Sequence, residues 1–203
     1  MNNVNESLGS QETDSQAKWR GVKEAAREII ETAFLTLVIF LLIRTVVQNF
    51  RIEGYSMEPN LHDGQYLIVN KLVYRKIGDK FLFHPPQRGD IIVFKYPRVP
   101  DRDFIKRVIG LPGETVEIRQ GHLFINGELV EEPYISNSGT YSWGPAQVGE
   151  DEFFVLGDNR RSSSDSHTWG MLPRENIIGK AWISYWPPRY WGLLPHYSFA
   201  SEE

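Results

Sequence analysis

The stretch FIKRVIGLPGETVEI at residues 104–118 decides the fold, because two short apolar-rich runs flank a Pro112-Gly113 turn signal. Runs of 4–8 residues that are rich in β-branched and aromatic side chains, and that end at glycine or proline, predict β-strands. The same pattern recurs along the chain. It predicts strands at 65–73, 90–97, 104–110, 114–120, 122–130, 152–157 and 177–186. Together these runs predict a mainly β domain over residues 49–203.

Two segments of this domain have a different character. Residues 131–150 are polar and contain glycine and proline, which predicts a long surface loop. Near the C-terminus, five aromatic residues fall within ten positions and fit either core packing or a belt at a membrane interface. The pattern predicts Trp182 inside the domain and Trp191 outside it.

Upstream of the β domain, the sequence contains one segment of membrane-spanning length. Residues 1–17 are polar and predict disorder, and 1–28 as a whole form the N-terminal segment. Residues 29–48 are largely apolar and approach the roughly 20 residues that cross a bilayer core. A cleaved signal peptide would need a small-residue exit site, which TVVQNFRIE lacks. A buried core helix remains an alternative to a single membrane anchor.

The charges around the apolar segment indicate its orientation. Four basic residues precede the segment, whereas Arg51 is the only Lys or Arg in the 20 residues after Val47. The four are Lys18, Arg20, Lys23 and Arg27. Because cytoplasmic flanks are enriched in lysine and arginine, this bias predicts a cytoplasmic N-terminus and a β domain on the opposite side of the membrane.

Composition excludes several kinds of function. The formal charge of −4 argues against a dedicated nucleic-acid binder. The absence of cysteine removes disulfides, thiolate catalysis and cysteine-ligated zinc. The five histidines are scattered without metal-ligand spacing, so neither a metal site nor another cofactor is expected. Hydroxyl groups are therefore the candidate nucleophiles.

One serine and one lysine stand out as candidate reactive groups. Ser56 lies in IEGYSMEPNL, about ten residues after the apolar segment, although a plain turn serine before a proline would look similar. Lys106 lies inside an apolar strand-like run and shares a predicted strand face with Phe104 and Val108. Desolvation lowers the pKa of a lysine amine, so a buried Lys106 would be available as a base. A solvent-facing position for Lys106 and Arg107 is the alternative.

Four sequence boxes follow the upstream apolar segment. They are SMEPNL at 56–61, RGDIIVFKYP at 88–97, FIKRVIGLPGETVEI at 104–118 and GDNRRSSSDSHTWG at 157–170. In this order, and together with the apolar segment, the boxes resemble those of bacterial type I signal peptidases. The resemblance extends over residues 29–186. It implies the β-rich catalytic fold that this family shares with self-cleaving repressors, preceded by one transmembrane helix.

The resemblance also implies a role for individual residues. It makes Ser56 the nucleophile, Lys106 the general base, and Ser163 the group that orients the lysine amine. The supporting polar network would comprise Asp158, Arg160 and Asp165. The shallow apolar pockets for the substrate would be lined by Phe50, Ile52, Met57, Leu61 and Ile105.

The sequence departs from the family pattern at three positions near these boxes. Gly54 stands where some members carry a serine that contributes to the oxyanion hole, so the Ser56 N–H must carry more of that role. Asn60 stands where threonine is commoner. His167 stands where an arginine would pair with Asp165, which predicts a pH-sensitive contact.

The resemblance implies a membrane-anchored serine endopeptidase that cuts signal peptides from exported preproteins after small residues, usually alanine, at −1 and −3. Its partners would be preprotein signal peptides and the lipid bilayer, near the protein-export machinery, with no nucleic acid. The location would be the bacterial cell membrane or a thylakoid membrane. The alternatives are a self-cleaving repressor-type protease, which would need a DNA-binding module where the apolar segment lies, and an inactive membrane-tethered binding module.

Overall fold

A computed structural model describes residues 3–195 and residue 197. The chain divides into two compact units, Met1–Thr45 and Val46–Glu203. The first unit is helical, and the second is built from antiparallel β-strands.

A single helix, α1, extends from Asn3 to Val46. Residues 3–17 are therefore helical rather than disordered, whereas residues 1 and 2 lie outside the described part. The polar composition of this segment argues against burial, but 3–17 contain no proline, and extending an existing helix costs far less than nucleating one. The stretch Lys23–Val46 is long and apolar enough to cross a membrane. The helix ends two residues before the predicted boundary at 48, because Val47 and Gln48 already pair in a strand.

The described residues of the second unit form fourteen strands. They are β1 (Val47–Arg51), β2 (Tyr66–Asn70), β3 (Lys76–Ile77), β4 (Lys80–Phe81), β5 (Ile91–Lys95), β6 (Asp103–Gly110), β7 (Thr115–Arg119), β8 (His122–Ile125), β9 (Glu128–Leu129), β10 (Trp143–Gln147), β11 (Glu152–Leu156), β12 (Leu172–Pro173), β13 (Ile177–Trp186) and β14 (Gly192–Leu193). The short helix α2 spans Ser166–Trp169, and 3₁₀ turns occupy Arg160–Ser162, Arg174–Asn176 and Pro188–Tyr190. The mainly β prediction is confirmed.

The strands form one large sheet, a smaller sheet and a hairpin. The large sheet has the order β1-β2-β13-β5-β6-β11-β12, with β14 on β13. The smaller sheet has the order β10-β7-β8-β9, and β3 pairs with β4. In the large sheet, β1 is a terminal strand that pairs with β2.

The strand β5 is a continuous apolar run because it lies between β13 and β6 in the large sheet. Ile91 and Val93 pack into one buried cluster, whereas Ile92 and Phe94 pack into another on the opposite face. Since both faces of the sheet are covered here, every residue from Ile91 to Phe94 is buried. The neighbouring strand β6 is buried from Ile105 to its end.

Two predicted segments differ from the structure. The run 122–130 is divided into β8 and β9 by a turn at Asn126-Gly127, where both residues have positive φ angles of 52° and 88°. The predicted loop 131–150 contains the strand β10, which pairs with β7. Gly144 and Pro145 hid this strand in the sequence, and both fall in the register shift between Trp143 and Ala146.

The prediction for the C-terminal aromatics is half right. Trp191 is 73% exposed, as predicted, but Trp182 is 45% exposed and so is not inside the domain. The register of β13 shifts between Ala181 and Ile183, which buries Ala181 and turns Trp182 outward.

Candidate active site

Ser56 lies just beyond β1, in a turn that is tied to a distant segment of the chain. The Ser56 carbonyl accepts a hydrogen bond from the backbone N–H of Asn159 at 3.0 Å, and the side-chain Nδ2 of Asn159 donates to the Tyr55 carbonyl at 3.1 Å. Gly54 has φ +91°, a conformation that glycine adopts far more readily than serine. Its N–H donates to Asp63 Oδ1 at 2.7 Å. These contacts fix the backbone on both sides of the serine.

Lys106 lies on β6 and meets Ser56 at the floor of a cleft. Its Nζ is 2.7 Å from Ser56 Oγ and 2.8 Å from the Ile105 carbonyl oxygen. Only 3% of Lys106 is exposed, because β6 pairs with β5 and β11 around it. The alternative of a solvent-facing Lys106 is wrong.

Burial determines the protonation of this amine. Desolvation lowers the pKa of Lys106 from 10.5 to about 8, and the charges of Asp165 and then Asp158 oppose that shift. With a pKa of about 8, about half of the Lys106 amines are neutral at pH 8 and about a tenth at pH 7. A lysine in this state can accept the proton of an adjacent hydroxyl.

The residue after Lys106 forms a buried ion pair that the sequence did not reveal. Arg107 donates from Nε to Asp158 Oδ1 at 2.8 Å and from Nη2 to Asp158 Oδ2 at 2.7 Å. Its Nη1 donates to the Gly89 carbonyl at 2.8 Å. Asn60 also donates to Asp158 Oδ2 at 2.8 Å and to the Tyr134 carbonyl at 2.7 Å. Asp158 thus joins β6 to the segment that carries Ser56.

The other predicted network residues lie in separate contacts. Asp165 Oδ2 accepts from the Gly157 N–H at 2.9 Å, and its Oδ1 lies 2.5 Å from His167 Nδ1. His167 therefore pairs with Asp165 at the position where the resemblance implies an arginine. The hydrogen bond with Asp165 raises the pKa of His167.

Arg160 pairs with Glu132, which lies in the predicted loop 131–150. Its guanidinium donates to both carboxylate oxygens of Glu132, with Nη1 at 2.7 Å from Oε2, and its Nε donates to the Gly157 carbonyl at 3.2 Å. Arg160 and Glu132 are both almost fully buried at their side chains. No local motif distinguishes Glu132 from its neighbour Glu131, so the sequence gives no signal for this pair.

Ser163 lies beside the dyad without a hydrogen bond to the amine. Its Oγ is buried and has no hydrogen-bond partner within the described part of the chain. It packs closely against Gly157, where an added Cβ would come within 2.2 Å of Ser163 Oγ and 2.5 Å of the Ser56 carbonyl oxygen. A glycine at 157 is therefore required for the approach of these two segments. The orienting role of Ser163 stays a prediction.

The cleft above the dyad has a volume of about 790 Å³. Its walls come from residues 48–51 and 53–56, from 101–106 and from two serines at 162 and 164. Phe50 and Ile105, two of the five predicted pocket residues, line this cleft, and their contact with a substrate stays a prediction.

The other three predicted pocket residues do not line this cleft. Ile52, Met57 and Leu61 are buried to within 2% and belong to the core cluster against which Phe50 packs. They flank Ser56 in the sequence and pack into the core, so they support the walls of the cleft without forming its surface.

Comparisons with known proteins identify the family of this chain. A family model described as "Signal peptidase, peptidase S26" matches residues 26–186. The chain is 47% identical to "Signal peptidase I" of Leptolyngbya laminosa over 176 residues, which are 82% of this chain and 83% of that relative. It is 36% identical to "Thylakoidal processing peptidase 1, chloroplastic" of Arabidopsis thaliana, over 79% of this chain and 48% of that relative.

A solved structure of a signal peptidase I from Enterococcus faecalis V583 is also similar in sequence. It is 36% identical, covers 48% of this chain and 97% of its own, and superposes with a TM-score of 0.43. The family match extends over most of the chain and includes both Ser56 and Lys106. The resemblance to type I signal peptidases is thus confirmed, and this chain, a hydrolase with a mainly β catalytic domain, belongs to the signal peptidase family, peptidase S26.

Proposed function

We propose that this protein is a membrane-anchored serine endopeptidase that removes N-terminal signal peptides from exported preproteins. Ser56 would be the nucleophile and Lys106 the general base. The observation that carries the proposal is the 2.7 Å contact between a buried lysine amine and a serine hydroxyl at the floor of an open cleft.

The chemistry follows from the two reactive groups. The neutral Lys106 amine takes the Ser56 proton as Oγ attacks the scissile carbonyl, and the Ser56 N–H stabilises the resulting oxyanion. The ammonium then gives its proton to the departing amine, which leaves an ester on Ser56. Water hydrolyses that ester, with Lys106 again accepting a proton and returning it to Ser56.

The cleft suits an extended peptide. Its two long walls are formed by residues 48–51 and 53–56 and by 101–106, and they include most of the terminal strand β1 and the start of β6. A substrate strand added beside them would gain main-chain hydrogen bonds and cover Lys106 from water. Phe50 and Ile105 would favour small apolar side chains at −1 and −3, such as alanine.

The pH dependence of cleavage tests the state of the lysine. The base must be neutral, so activity is present above the pKa of Lys106 and is lost as the pH falls through it. We expect kcat/KM to fall about tenfold per pH unit below about pH 8, the pKa that burial gives Lys106. This falling side of the pH profile is its acid limb. A profile that stays flat down to pH 6 would contradict a lysine base.

Cleavage of a purified preprotein tests the function itself. With detergent-solubilised enzyme, we expect one cut directly after an alanine at −1, located by mass spectrometry of both products. Aspartate or tryptophan at −1 should block the cut, because the pocket would bury an unpaired charge or displace the scissile carbonyl. Binding of the preprotein without any cut would instead favour an inactive tethered binding module.

We also propose that α1 anchors the protein in a membrane with its N-terminus in the cytoplasm. The apolar side chains of Lys23–Val46 support this, since Phe34 and Leu42 are 67% and 61% exposed in the chain. The membrane would be a bacterial cell membrane or a thylakoid, and the β domain would lie on the far side, near the export machinery.

Protease added to intact spheroplasts tests this topology. We expect digestion of everything after about residue 50 and survival of a short N-terminal fragment, because lysine and arginine precede the span. An N-terminal epitope detected by immunoblot identifies the fragment, and lysed spheroplasts provide the control. A β domain that resists protease only until lysis would reverse the proposed orientation.

A further inference from the structure

The chain after the last strand returns to the buried ion pair behind Lys106. Leu194 is buried, and its N–H donates to the Trp182 carbonyl at 2.9 Å. Further on, Tyr197 packs against the third core cluster. The Tyr197 ring centre lies 5.3 Å from that of Tyr134 and 5.3 Å from the guanidinium carbon of Arg107.

The Arg107 guanidinium is held by hydrogen bonds from its N–H groups and by aromatic rings close to its central carbon. Its N–H groups donate to Asp158 and to the Gly89 carbonyl, as described above. The ring of Tyr134 lies 4.3 Å from the guanidinium carbon, and Tyr197 lies beside Tyr134. Aromatic rings attract a guanidinium most strongly where water is excluded, and Arg107 is completely buried. The C-terminal segment thus completes the enclosure of this charge.

The enclosed pair is directly connected to the dyad. Arg107 follows Lys106 on β6, and Asp158 accepts from Asn60, four residues after Ser56. The Arg107–Asp158 pair thus connects the strand that carries Lys106 with the segment that carries Ser56.

We infer that Tyr197 is a positioning residue of the active site, which fixes the Arg107–Asp158 pair and thereby keeps Lys106 aligned with Ser56. The inference rests on the proposed function, because it assigns a consequence to the base role of Lys106. It extends the site to a residue outside the matched family region, which ends at 186.

The direction of the effect follows from the charges around the site. Asp165 and Asp158 face Lys106, and both raise its pKa against the effect of burial. Tyr134, which donates to Glu132, is the other ring against Arg107. Loss of the Tyr197 ring would loosen the hold of Arg107 on Asp158, so the negative charge of Asp158 would act more strongly on Lys106. This change favours the charged lysine, so the acid limb should move to higher pH.

The test compares Tyr197→Ala and Tyr197→Phe in the full-length enzyme by the pH profile of preprotein cleavage. We expect the alanine variant to move the acid limb up by about one unit, so that kcat/KM at pH 7 falls about tenfold, mostly in kcat. Tyr197→Phe keeps the ring face and should retain the wild-type limb. A merely structural loss would scale activity equally at every pH.

Phe124→Ala is the matched control, since the Phe124 ring lies 4.4 Å from the surface guanidinium of Arg119. It should leave the limb unchanged. If Tyr197→Ala does not fold, Tyr197→Leu, which keeps an apolar side chain, decides the question by the same shift. An unshifted limb in the folded variant overturns the inference, whereas a wild-type enzyme that binds the preprotein without cutting it would overturn the proposed function instead.

Discussion

We expect Lys106→Arg to abolish preprotein cleavage, with kcat lowered about 10⁴-fold or more while the fold is kept. Arginine preserves the length and the positive charge, but its guanidinium stays protonated at every usable pH and cannot accept the Ser56 proton. Ser56→Ala should be equally inactive because the nucleophilic oxygen is gone. Ser163→Ala should have a milder effect, since its hydroxyl does not react.

Two substitutions on the surface provide matched controls for the dyad. Lys95→Arg on β5 makes the same chemical change at an exposed lysine, and Ser136→Ala removes an exposed hydroxyl. Both should cleave at the wild-type rate. Cleavage measured by gel under single-turnover conditions separates the chemical step from product release. Residual activity above about 1% in Lys106→Arg would mean that another group takes the proton.

Asp158→Ala should destabilise the protein by about 3–5 kcal/mol, because it leaves the Arg107 guanidinium buried without its counter-charge. At this chain length, that loss corresponds to a fall in Tm of roughly 6–20 °C. Thermal unfolding in detergent, followed by circular dichroism, provides the measurement. Adding Arg107→Met should restore much of the lost stability, because an apolar side chain needs no counter-charge.

The exposed pair between Glu117 and Arg119 is a control of the same geometry. Its Nε–Oε1 and Nη2–Oε2 distances of 2.7 and 2.5 Å resemble those of the buried pair. Water solvates both of these side chains, so Glu117→Ala should leave Tm unchanged. Equal shifts in Tm for Asp158→Ala and Glu117→Ala would show that burial does not increase the contribution of the Arg107–Asp158 pair to stability.

Much of the fold could be predicted because local rules and tertiary packing agree along the strands. The runs at 90–97 and 104–110 contain β5 and most of β6, since β-branched residues between turn signals have few alternatives. β10 was missed because its glycine and proline are tolerated only at a register shift, which the partner strand β7 creates.

The site was predictable only where chemistry is local. A lysine inside an apolar run is visible in the sequence, and so is its match to a family box. Arg107 was not recognised as buried because strand alternation places it opposite Lys106, on the face expected to be solvated. In the structure both faces of β6 are covered, so both side chains are enclosed. Glu132 and Tyr197 reach the site through long-range contacts that no spacing encodes.

The long sequence separations within the site also determine when the protein becomes an enzyme. The Ser56–Lys106 contact spans 50 residues, and the Asn60–Asp158 contact spans 98. Closing such loops costs conformational entropy, so we expect these pairings to form late, after the intervening strands have ordered. A newly made or half-folded chain would therefore contain Ser56 and Lys106 but have no protease activity. The appearance of activity should mark the completion of folding, which spares the unfolded chain from attack by its own site.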